Sequence, residues 1–159
     1  MLFRSRARDI GAQTTLTLST VSGTVIANAL KVRTLEAGTI SGDLQLSNLQ
    51  VERLQAKTVN GNISFGGTLT RGGRYEFHAH SGNVRLVLGD SPGFELDAST
   101  FSGSIRSDFP VTLRSVGAEN TRGQRGRASA NRAVRGTYGD ASAFLSVRSF
   151  SGTVVITKK

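Results

Sequence analysis

The chain has 159 residues, 19 glycines, two prolines, no cysteine, a hydrophobic fraction of 37% and a formal net charge of +9. That length suits one domain with a real core, and apolar plus glycine content near the globular norm argues against disorder of the whole chain. The missing cysteine excludes disulfides, thiolate metal sites and cysteine nucleophiles, and no window nears the ~18 apolar residues of a membrane span.

The charge is unevenly placed. Residues 1–13 open with Arg4, Arg6 and Arg8 against Asp9. They have no apolar h-region, so they read as a basic arm or a truncated first coil rather than a signal peptide. The chain is then cytoplasmic if Met1 is its true start.

From residue 14 the sequence repeats. "TVSGTV" at 20 returns as "TISGDL" at 39, "TVNGNI" at 58, "TFSGSI" at 100 and "SFSGTV" at 149. Shifting 30–46 forward by 19 residues lays Leu30 on Leu49, Val32 on Val51, Leu35 on Leu54, Ala37 on Ala56, Thr39 on Thr58 and Gly42 on Gly61. Apolar residues alternate within each unit, which marks half-buried strands, and no 3.6-residue stripe marks a helix. Short strands at a near-constant step predict an all-β, single-domain β-solenoid of about six coils, occupying 14–159. A β-sandwich also uses short strands and frequent turns, but it does not call for one turn motif at a fixed step.

Gly23, Gly42, Gly61, Gly82, Gly103 and Gly152 are the expected corners, one per coil, because glycine reaches backbone angles other residues resist. The first five are expected to stack in one column. The Val or Ile before each corner, and the one four residues later, are expected to point into the coil. The Ser or Asn beside each glycine is expected to stack on its counterparts and bond to the turn. "FGGTLTRGGRY" at 65–75 reads as a flexible loop lengthening one coil. It lacks the Lys-Ser/Thr and the helix of a phosphate loop.

His78 and His80 are the only histidines. Alternation puts them on one face, half of a metal site at most; the plainer reading is one imidazole in the core and its neighbour facing water. No "GxSxG" and no evident carboxylate pair point to hydrolysis. The chain reads as a non-enzyme without cofactor or metal.

Residues 114–135 carry six arginines and one glutamate. The stretch reads as a basic insertion, about 116–132, set before the last coil, with Val111, Leu113 and Val134 as strand residues at its flanks. Arg122, Arg125, Arg127, Arg132 and Arg135 are the candidates for polyanion contact through charge. The segment carries no aromatic to stack on bases, which disfavours nucleic acid as partner. The first coil shows no cap, so either missing N-terminal residues or self-association through that end is expected, with Lys158 and Lys159 guarding the other end.

The repeated Ser-Gly turn, "FELDASTFSGSIRSDFPVTL" at 94–113 and the ending "GTYGDASAFLSVRSFSGTVVITKK" resemble a bacterial adhesin family of unknown molecular function. The resemblance runs from about residue 14 to the end. It implies a single-chain β-solenoid at the cell envelope or outside the cell, with no catalytic residues. Binding or scaffolding through the repeat faces follows, with envelope polysaccharide or a protein as the partner. The alternative is a cytoplasmic structural or polymerising module, or a weak polyanion binder through the arginines.

Overall fold

The computed structural model describes residues 14–89, 93–109, 112–113 and 132–158. The strands, in chain order, are β1 (Thr15–Ser22), β2 (Val25–Asn28), β3 (Lys31–Ser41), β4 (Leu44–Ser47), β5 (Gln50–Asn60), β6 (Ile63–Gly67), β7 (Arg74–Ser81), β8 (Val84–Leu88), β9 (Gly93–Ser107), β10 (Thr112–Leu113), β11 (Arg132–Gly139) and β12 (Ala143–Lys158). No described residue is helical.

Each early coil is a long strand, a glycine corner and a short strand. Residue sits on like residue: Leu16, Leu35, Leu54 and Tyr75 form one inward column, and Leu145 and Leu96 continue it. Parallel, in-register stacking of a repeated alternation buries one side chain in two along the whole rod. Among the described residues thirty apolar side chains are buried in the core, with Leu35, Leu54, Ile63, Phe77 and Leu96 at 0% exposure. A second corner, unmarked by the Ser-Gly motif, comes at Ala29 and Asn48, which share a left-handed φ of 54° and 51°. Asn48 Nδ2 donates to Asn28 Oδ1 at 3.2 Å beside it.

The order of coils in space departs from the order in sequence. The long strands run β1-β3-β5-β7-β12-β9, with β12 between β7 and β9. Beyond its own glycine, β12 pairs with β8 through Val154–Lys158 and with β9 through Val154–Ile156. The last segment of the chain thus forms the fifth coil, and the earlier β9 forms the sixth. In the sequence the basic segment stands between β10 and β11, ahead of β12. Its flanks, β10 and β11, pair antiparallel with each other, and β11 lies antiparallel along the far side of β9 over Gly93–Thr100. Leu113 and Val134 are strand residues as expected; Val111 and 114–131 lie outside the described residues.

The chain passes from the far side of β9 to its near side through a turn at Asp140–Ser142 that crosses the start of β9. Gly93, with φ 146°, faces this crossing. A Cβ there would meet the Asp140 backbone and the Tyr138 carbonyl oxygen. Phe94, Phe109 and Tyr138 close that end of the core, with ring centroids 4.9–5.6 Å apart.

The 65–75 segment is tied down rather than loose. Leu69 is 2% exposed. The buried Tyr75 hydroxyl donates to the Val51 carbonyl at 2.8 Å and accepts from the Thr70 amide at 2.9 Å. Gly72 N donates to Ser142 O at 2.7 Å.

One inward column is polar: Thr39, Thr58, Ser149 and Thr100, with Ala79 among them. Their hydroxyls are buried with no hydrogen-bond partner among the described residues. A buried, unmatched hydroxyl costs about 1–3 kcal/mol, and Ala79 demonstrates that the column needs none. Thr58→Val keeps the shape and the β-branching, so it should raise the melting temperature by about 2–4 °C per kcal/mol gained. A lower melting temperature would mean that the hydroxyl has a partner.

Candidate functional site

The corner glycines come together as the repeat predicts, in the spatial order Gly23, Gly42, Gly61, Gly82, Gly152, Gly103. A Cβ on each of the last five would run into the backbone carbonyl of the glycine on the adjoining coil. Five of the six also have positive φ, from 119° at Gly23 to 159° at Gly61; at Gly103 the close approach alone demands glycine. The residue after the glycine forms a ladder. Asp43 Oδ1 accepts from the Asn62 amide at 2.9 Å, Asn62 Oδ1 from the Asn83 amide at 3.1 Å, and Asn83 Oδ1 from the Thr153 amide at 3.1 Å. These side chains replace the strand ladder where the corner interrupts it, which is the turn chemistry expected of them.

The residue two positions before each glycine behaves differently from expectation. Val21, Ile40, Val59, Phe150 and Phe101 are 43–70% exposed, so they point out of the coil, while Val25, Leu44, Ile63, Val84 and Val154 point in as expected. The reason is parity. The buried threonine column occupies the adjacent position, and a strand alternates faces at every residue. His80 belongs to the outward row, so it is not a core imidazole. Its ring stacks on Phe150 at 4.9 Å and 10°, and Phe150 stacks on Phe101 at 4.9 Å and 5°.

Two residues earlier on each strand stands a second outward column: Ser19, Gly38, Lys57, His78, Arg148 and Ser99. The valley between the two columns holds about 1070 Å³ and crosses five coils, from β1 to β12. Its sides are apolar on one flank and cationic on the other. No carboxylate lines it among the described residues.

His78 is half-buried in this flank. Burial pushes its pKa below the ordinary 6.5, Arg148 and then Lys57 push the same way, and Glu76 opposes them. The unfolded chain therefore binds a proton more readily than the fold does. Above pH 6.5 both states are neutral at this site and stability is unaffected; as pH falls below 6.5 the unfolded state gains the proton first and stability declines. His78→Gln should flatten that decline between about pH 6.5 and 5, above the carboxylate range. Denaturant midpoints of the two proteins across this window are the measurement; parallel curves would refute the assignment.

Arg122, Arg125 and Arg127 lie outside the described residues. Arg132 begins β11, its Cα opposite Thr100, and Arg135 pairs with Asp97 at 3.4 Å. Lys158 ends β12 beside Leu88, past the last residue that β12 pairs with β9. Among the described residues no three His, Cys, Asp or Glu side chains gather as metal ligands. No helix of the described residues is long and apolar enough to cross a membrane. Sequence reasoning missed the valley because it assigned the outward row to the core; the parity of Thr39 and Thr58 against Leu35 and Ala37 was the available signal.

Neither curated proteins nor solved structures yield a match to the chain. One family model does match, over residues 9–156, and it describes a β-solenoid domain of unknown function. With nearly the whole chain covered, this protein belongs to the Toastrack family, DUF4097.

Proposed function

We propose that the domain is a non-enzymatic binding or scaffolding module of adhesin type, held at the cell envelope, that meets its partner with the outer face of its stacked coils. The exposed row of Val21, Ile40, Val59, Phe150 and Phe101 carries this reading. Burying such a side chain is worth about 1.5–3 kcal/mol each, and an exposed row that is apolar at five of its six positions marks an interaction surface. Partners in keeping with the face are envelope polysaccharide or another protein. Replacing Ile40, Val59 and Phe150 with serine should leave the melting temperature nearly unchanged and abolish binding of the purified domain to isolated envelope fractions. Retained binding would sink the reading.

The open ends favour a second role, self-association. Among the described residues β1 pairs only with β3, and Phe101–Ser107 of β9 pair only with β12. Unpaired edges recruit strands. Sedimentation that stays monomeric as concentration rises would exclude it.

A further inference from the structure

We propose that the valley beside the corner column binds a linear anionic polysaccharide, a chain of pyranose units bearing uronate carboxylates, laid along the solenoid axis across the coils. The proposal rests on the outer face being the binding face.

Geometry sets the form of the ligand. The two flanking columns lie two residues apart on each strand, so the valley is roughly 7 Å wide, and its five coils span roughly 19 Å. One extended chain fits, and a duplex does not. Along the axis equivalent positions recur at the strand separation of about 4.8 Å. A pyranose unit advances its chain by about that step, so successive units stay in register with successive coils. An extended acidic peptide advances only about 3.3 Å per residue and drifts out of register with the coils.

Charge sets its sign. Lys57 on the third coil and Arg148 on the fifth are two steps apart, roughly 10 Å, and His78 stands between them. That spacing suits a carboxylate on every second unit, with the imidazole between them as a polar contact. Glu36 and Glu76 stand one column further out, beyond the cationic flank. They repel an anionic chain from that side and hold it between Lys57 and Val59.

The rings decide between polyanions. His80, Phe150 and Phe101 spend their inner faces on each other. A single-stranded nucleic acid needs free ring faces for its bases and finds mainly edges here. Ring edges carry the positive part of the quadrupole, which suits carboxylate oxygens, and Ile40 and Val59 offer apolar contact to the C–H groups of the sugar.

The test uses the full chain and oligosaccharides of hyaluronate, in which every second unit is charged. Oligomers of polygalacturonate, neutral dextran, polyglutamate and single-stranded DNA serve as comparisons. Hyaluronate should bind in preference to dextran, polyglutamate and DNA, and should weaken with salt. Lys57→Glu with Arg148→Glu should reduce its affinity by about tenfold or more. Arg85→Glu with Arg106→Glu makes the same charge change on exposed residues past the corner and should leave affinity unaltered. All four positions are exposed or flank the core, and melting curves check that both double variants fold. Equal losses in the two double variants, or equal binding of DNA and polyglutamate, would overturn the proposal in favour of net charge. Polygalacturonate binding with hyaluronate rejected would overturn the alternate-unit spacing. If neither polyuronate binds while the Ile40, Val59 and Phe150 serine variant still loses envelope binding, the uronate proposal fails and the binding face stands. If that variant also keeps its envelope binding, both fail.

Discussion

Gly61→Ala should leave the domain unfolded at physiological temperature, whereas Gly72→Ala should cost only about 1–3 kcal/mol. Both glycines have positive φ, 159° and 73°, so both substitutions carry backbone strain. They differ in what lies next to them. A methyl at Gly61 would overlap the Gly42 carbonyl, and a backbone carbonyl cannot rotate aside. Gly42 is fixed in turn, because its amide donates to Asn60 O at 3.0 Å. Relief requires the third coil to separate from the second, which opens the β3–β5 ladder. That places Gly61→Ala in the rare tail beyond about 4 kcal/mol, a large share of an ordinary domain's 5–15 kcal/mol. A methyl at Gly72 would meet nothing within 4 Å. Denaturant unfolding of the two variants is the check, and similar midpoints would show that close coil contact is not what the glycines serve.

The same column explains what the sequence reveals and what it hides. A period of 19 residues with type-matched apolar positions is a local, repeated signal, so the first coils, their register and their glycine corners are legible before any coordinates. The place of β12 is not. Ser-Phe-Ser-Gly at 149 has the same chemistry as Thr-Phe-Ser-Gly at 100, and either stacks acceptably on the fourth coil. What settles the order is β11, whose antiparallel pairing covers β9 at Gly93–Thr100 and leaves its other edge for β12. That pairing is nonlocal and carries no motif. The candidate valley was half legible. Lys57, His78 and Arg148 fall in one column by simple alignment, but the outward row was masked by its composition, since Val, Ile and Phe ahead of a turn look like core. Their parity against the inward threonines decides the face.

Removing β12 should cost the fold, whereas removing the first coil should only weaken it. A chain ending at Ser142 loses Leu145, Val147, Val154 and Ile156, all at 0% exposure. At about 1.5–3 kcal/mol each their burial contributes roughly 6–12 kcal/mol, as much as the net stability of a typical domain. The loss also strands backbone on both sides, because β7 and β8 lose their neighbour and β9 keeps only β11. A chain starting at Leu30 loses far less. Among the described residues, Val25 and Ala27 are the buried apolar residues of that coil, Leu16 and Leu18 are only partly covered, and one inter-coil interface disappears rather than two. In a stack where each coil contacts only its neighbours, an end coil subtracts one interface term and leaves the rest standing. The shortened chain from Leu30 should therefore melt cooperatively at a lower temperature. The chain ending at Ser142 should show no cooperative transition and should expose the edges of β7, β8 and β9 to aggregation. Circular dichroism melts with size-exclusion profiles of both truncations distinguish the outcomes. If the chain ending at Ser142 melts as sharply as the full chain, β12 is a terminal coil rather than the fifth of six, and the order of coils described here is wrong.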